Sequence, residues 1–260
     1  MEQWQVGDWT ITRVADPGFE LTLPQDAATV ATLQRSAWLH PQFVTDDWAL
    51  RVGSSALLLQ GAGVRILVDP WLAFDDPDRF DARLEALANA GAQPNDIDVV
   101  VNSHVDGIGA NTRPVSGDAT FPVARYYVPA AELEAVRAGK HPAATTLASI
   151  DLLCPVTEGC EIAPGVSLKP LPGHNDGHYG VEIAGQALII GHLFLHPAQI
   201  ANPGADLDPQ PKLIRETRRH VLERCATEGT LLIGPLFAAP GAGTIVADGD
   251  QWALEPACVG

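Results

Sequence analysis

Residues 99–112 read VVVNSHVDGIGANT, and this stretch decides the fold. The apolar run Ile97–Val101 has the length and composition of a strand buried on both faces. It stops abruptly at Asn102-Ser103-His104-Val105-Asp106-Gly107, and a glycine-containing turn leads to Asn111. Imidazole, carboxylate and carboxamide groups at alternate positions just past a strand end are the side chains that bind cations or move protons.

Working outward, the same arrangement recurs. His174 follows the extended segment Val166–Leu171 through Pro172-Gly173. His192 follows Ala187–Ile190 through Gly191, and Gly234–Phe237 follows Leu231–Ile233. Loops leaving one edge of a layered sheet converge on one cleft, so these separated residues are candidates for a common site.

Between them, Trp9–Val14 alternates as a strand. Leu50–Gln60 and Val64–Val68 read as a hairpin ending at Asp69, and Val181–Ile190 as two strands turning at Ala184-Gly185. Helical periodicity covers Pro77–Gly91, Ala130–Ala138 and Pro211–Thr227. In the last of these Leu213, Ile214, Thr217, Val221, Leu222 and Cys225 form one stripe. Strand hairpins mixed with helices predict an α/β architecture of two sheets covered by helices.

The chain has 260 residues, of which 46% are hydrophobic, enough to bury a sizeable core. We expect a single domain over residues 1–260. Asp and Glu outnumber Lys and Arg by 32 to 16, a formal charge of -16, which disfavours nucleic acid and anionic membrane surfaces as partners. The opening residues MEQWQVGDWTITRV lack a cationic leader and a continuous apolar stretch, so a cytoplasmic protein is expected. Cys154, Cys160, Cys225 and Cys258 form no CxxC pair, which points to reduced, structural thiols.

From Trp38 to Trp252 the chain resembles the lactonase-like branch of the metallo-β-lactamase superfamily. That branch includes N-acyl-homoserine lactonases and methyl parathion hydrolase-like enzymes. The resemblance is carried by WLHPQF at 38–43, the strand ending at Asp69, NSHVDGIGANT at 102–112, PGHNDGH at 172–178, GHLFLHPAQ at 191–199 and GPLFAAPGAG at 234–243. It implies a four-layer αββα sandwich and a site holding two metal ions for hydrolysis of a lactone, ester or phosphotriester. It also implies that Trp38–Phe43 contributes to a homodimer.

Carried over by position, the first metal of such enzymes takes ligands at Asn102, His104 and His174. The second takes ligands at Asp106, Gly107 and Leu236, and the bridging aspartate falls at His192. Glycine and leucine offer no donor, and a neutral imidazole does not ordinarily bridge two cations, so the second site is erased. What remains is one candidate site of three imidazoles, His104, His174 and His192, with weak support from the carboxamide of Asn102. It suits a single zinc ion or none.

Three neutral ligands leave a dication's full charge available to acidify water to a pKa of about 7, with Asp106 as proton acceptor. The expected function is hydrolysis of a small ester or lactone, with a small molecule as substrate. Two alternatives use the same cleft: a metal-independent lyase, isomerase or cyclase with Asp106, His104, His174 and His192 as catalytic acids and bases, or a non-catalytic binding protein. Each histidine also has a structural reading as a hydrogen-bonded core residue. Asp106 reads equally as a loop cap, His178 and His196 as supports to the site or structural residues, and Asp176 as a further acid or base facing the cleft or as part of an Asn175-Asp176-Gly177 turn. Trp38, Trp48, Trp71, Phe43 and Phe74 read as pocket walls or as core.

Overall fold

The computed structural model describes residues 1–19, 21–72, 77–105, 109–138, 150, 152–175, 177–204 and 209–258. The first part of the chain supplies strands β1 (Gln3–Val6), β2 (Trp9–Ala15), β3 (Leu21–Leu23), β4 (Leu50–Val52), β5 (Ser55–Gly61), β6 (Val64–Val68), β7 (Val99–Val101), β8 (Arg125–Pro129) and β9 (Leu153–Val156). Of these, β3 and β4 pair only with each other, and the other seven form one sheet in the order β1-β2-β5-β6-β7-β8-β9. Pairing is antiparallel up to β6 and parallel from β6 to β9.

The second sheet runs in chain order through β10 (Glu161–Ala163), β11 (Val166–Pro170), β12 (Tyr179–Ile183), β13 (Ala187–Ile189), β14 (Leu231–Ile233), β15 (Ala242–Asp248) and β16 (Gln251–Pro256). It is antiparallel except between β13 and β14. The described helices are α1 (Ala27–Leu33), α2 (Pro77–Asn89), α3 (Ala130–Arg137), α4 (Ala198–Ala201) and α5 (Pro211–Glu228). None is long and apolar enough to cross a membrane.

The three valines of β7 explain the layering. Val99 and Val101 join Ile66, Val68, Val181, Ile183, Ile189 and Ile233 in the core between the two sheets. Val100 points the other way, into a core with Leu67, Phe80, Leu87 and Tyr126 beneath α2. On the far face of the second sheet, Leu188 and Leu232 pack against Ile214, Val221 and Leu222 of α5. A helix-sheet-sheet-helix sandwich follows, as the sequence predicted, because a strand alternating between two apolar environments must be buried on both faces.

The stretch Leu50–Gln60, read as one strand, divides at Gly53. The Gly53 N–H donates to the Leu236 carbonyl at 2.8 Å, and a side chain there would overlap the Phe237 carbonyl. β4 therefore leaves the main sheet and β5 begins afresh. The strands β1, β3, β8, β9, β10 and β16 have no counterpart in the sequence reading. All but β16 are three to five residues long, too short for a period to declare itself.

Candidate functional site

The three histidines lie in three loops that leave strand ends, one in the first sheet and two in the second. His104 follows β7, His174 lies between β11 and β12, and His192 follows β13. One nitrogen from each ring lies within 4.8 Å of the others. The ring centroids are 5.0 Å apart for His104 and His174, 4.2 Å for His104 and His192, and 5.3 Å for His174 and His192. His104 and His192 are buried and His174 is half-buried. Burial, followed by the neighbouring rings of His174 and His178, holds His192 well below the usual imidazole range. His192 is therefore neutral at pH 7, with a lone pair to offer.

The backbone around His104 is fixed from several directions. Asp69, just past β6, sits at φ +47° and accepts the Ser103 N–H at 2.7 Å. Its own N–H donates to the Val101 carbonyl at 2.9 Å. Burial pushes the Asp69 carboxyl up to about 6, opposed by the Ser103 N–H and more weakly by the Ser103 hydroxyl. That hydroxyl is 2.9 Å from His104 Nδ1, so the hydroxyl meets the ring on its Nδ1 edge. The Ser103 carbonyl accepts the Tyr179 N–H at 2.8 Å, which joins the site edges of the two sheets. From the first turn of α3 the Glu132 carboxylate accepts the Val105 N–H. Sequence reasoning gave no sign of Glu132, because its partner lies 27 residues away and is a backbone group.

His178 stands beside the cluster, 5.5 Å from His104 and 5.7 Å from His174 between centroids, yet it plays a different part. Its Nε2 accepts the His192 N–H at 3.0 Å. With that nitrogen accepting, Nδ1 carries the proton and donates to the Leu171 carbonyl at 3.0 Å. Both ring nitrogens are thus committed to backbone, the structural role the sequence suggested.

His196 behaves similarly. Its Nε2 donates to the Phe43 carbonyl at 2.9 Å while Nδ1 accepts the Ala198 N–H at 3.0 Å. Burial, against smaller opposing effects of backbone hydrogen bonds, lowers His196 to about 4. Between its ordinary value of about 6.5 and this lowered one, the unfolded chain takes up a proton that the fold refuses. Stability is therefore full above pH 6.5 and falls toward pH 4, by about 3 kcal/mol at most from this residue. Urea midpoints at pH 7.5 and 4.5 are expected to fall further for the wild type than for His196→Gln. Equal losses would remove His196 as a cause.

The Asn102 carboxamide oxygen accepts from Asn111 Nδ2 at 2.8 Å, so this candidate donor is already engaged by a neighbour. Asp106, Gly107, Asp176 and Phe74 lie outside the described residues. Leu236 is buried and apolar. The aromatic residues divide. Trp71 and Phe43 are core, Trp71 donating through Nε1 to the Val14 carbonyl at 2.9 Å, whereas Trp38 and Trp48 are half-buried.

No family model matches the chain, and no curated protein sequence does. Solved structures do. The chain is similar to AidC, a dizinc quorum-quenching lactonase solved with N-hexanoyl-L-homoserine product, at TM-score 0.83 and 16% identity over 100% of this chain and 98% of that one. The fold is the metallo-β-lactamase fold. The hydrolase AbOPH of the beta-lactamase superfamily matches this fold at TM-score 0.74 and 22% identity, covering 100% and 98% of the two chains. A probable metal-dependent hydrolase from Staphylococcus aureus matches at 0.71 and 18%, covering 98% and 100%. Within this fold the histidine cluster sits where loops from both sheets meet.

Proposed function

We propose that the chain is a hydrolase of a small ester or lactone, working with one metal ion held by His104, His174 and His192. The observation that carries this reading is the convergence of three imidazole nitrogens, from three separate loops, to within 4.8 Å of one another. The donor set suits a zinc-like ion. His192 is kept neutral by burial, and three nitrogens with an open fourth position are the ligand pattern of catalytic rather than structural zinc. His178 is not among the ligands, because its Nε2 lone pair already receives the His192 N–H.

When bound, such an ion supplies Lewis acidity toward a carbonyl oxygen and lowers the pKa of water. The chain's own residues do the rest. The Ser103 hydroxyl meets the Nδ1 edge of His104 and helps fix the orientation of its ring. Glu132 anchors the backbone just ahead of Asp106, which we assign as proton acceptor from its place two residues beyond His104. The dizinc lactonase and the other hydrolases that share this fold support the reaction class. The departures at Gly107, His192 and Leu236 support one ion rather than two.

Protein purified without chelator and then titrated with zinc is expected to bind one ion per chain. His192→Ala is expected to bind far less, and chelator is expected to abolish hydrolysis of lactones and aryl esters. Much less than one ion per wild-type chain would overturn the metal reading. Turnover that survives chelator yet is lost in His104→Ala would establish the metal-independent alternative.

A further inference from the structure

We propose that helix α5 sets the separation of His174 and His192, with Thr217 and Arg218 as its positioning residues; the inference rests on the three-histidine reading above. One turn of this helix touches both loops. Gly173, immediately before His174, adopts φ +124°, and a side chain there would overlap the backbone of Ile214. The Thr217 hydroxyl donates to the Pro172 carbonyl at 2.8 Å. Arg218 donates through Nε to the Leu193 carbonyl, the residue after His192, at 2.7 Å. It also donates through Nη1 to the Pro203 carbonyl at 3.4 Å, and its guanidinium lies 5.6 Å from the Phe194 ring centroid.

Residues 214, 217 and 218 share one face of the helix by their i, i+3, i+4 spacing. That face therefore grips the chain at the two residues before the first histidine and at the residue after the second. Arg218 is fully buried, on a helix whose other buried side chains are Ile214, Val221, Leu222 and Cys225. A leucine at this position would complete an apolar stripe without the cost of desolvating a cation. Among its contacts is a directed hold on the Leu193 carbonyl, and through it on the backbone that presents His192. The helix thus acts on metal affinity through the spacing of the two rings.

The test compares Thr217→Val and Arg218→Lys with the wild type. Thr227→Val, which removes a hydroxyl bonded to the Glu223 carbonyl in the last turns of the same helix, serves as control. Cobalt(II) affinity, the visible spectrum of the bound ion, thermal midpoint and histidine-ring NMR spectra of the metal-free protein are measured. Thr217→Val and Arg218→Lys are expected to weaken cobalt binding roughly 10- to 100-fold. In the metal-free protein they are expected to shift the His174 and His192 ring resonances respectively, while Thr227→Val leaves both measures unchanged.

Wild-type cobalt affinity and unshifted rings in both variants would overturn the proposal. If Arg218→Lys fails to fold, Thr217→Val decides by the same two measures. If the wild type takes up no cobalt, the three-histidine reading falls, and the ring spectra of the metal-free variants alone decide whether α5 positions the loops.

Discussion

Gly191→Ala is expected to cost about 2 to 5 kcal/mol of stability and to disperse the histidine cluster. Two separate effects add up. Gly191 has φ +52°, and a Cβ there would lie 2.5 Å from Ser103 Oγ and 2.6 Å from His178 Nε2. The left-handed conformation costs an L-residue about 1 to 2 kcal/mol, and forcing a methyl group into a packed site costs about 1 to 3 more. Neither neighbour is free to yield. Ser103 is tied by its N–H to Asp69 and by its carbonyl to Tyr179, and His178 is bonded to backbone through both ring nitrogens. Gly185→Ala is the matched control, because that glycine has φ +65° and nothing within 4 Å of its Cβ position. Urea unfolding is expected to separate the two variants by the crowding contribution alone. Equal losses at 191 and 185 would mean that the close approach of the two sheets at Ser103 and Gly191 does not constrain the site.

The site's histidines were readable in the sequence because each follows a segment, apolar or alternating, that declares its own strand. Val99–Val101, Val166–Leu171 and Ala187–Ile190 fix where the strands end, and a residue just beyond a strand end can only be in a loop at the sheet's edge. The layering was readable for the same reason, since a run such as Val99–Val101 without polar alternation has to be covered on both faces. What could not be read is what reaches a loop from far along the chain. Glu132, Thr217 and Arg218 each bond a backbone group, and a backbone group carries no residue type for a pattern to match. Arg218 is the plainest case. The apolar stripe that marks the buried face of α5 leaves out residue 218, whereas its guanidinium is fully buried and bonded to the Leu193 carbonyl. The splitting of Leu50–Gln60 at Gly53 escaped for a related reason. The contact that breaks the strand is with Leu236 and Phe237, far along the chain in the loop after β14.

His178→Ala is expected to match Gly191→Ala in size while acting by removal rather than crowding. The ring is almost fully buried, and its loss withdraws the acceptor of the His192 N–H and the donor to the Leu171 carbonyl. Each buried backbone group left in this way costs about 1 to 3 kcal/mol, so a total of about 2 to 6 kcal/mol is expected in urea unfolding, and His178→Gln should recover part of it. The same variant separates two roles that proximity alone does not. If His178 only aims His192, cobalt binds the alanine variant roughly 10- to 100-fold more weakly but with the nitrogen count of the wild type in its absorption spectrum. If His178 were itself a ligand, the spectrum would lose a nitrogen donor as well. The hydrogen bond from the His192 N–H occupies the one lone pair that His178 has to give, and a wild-type donor count in the variant is the outcome that bond requires.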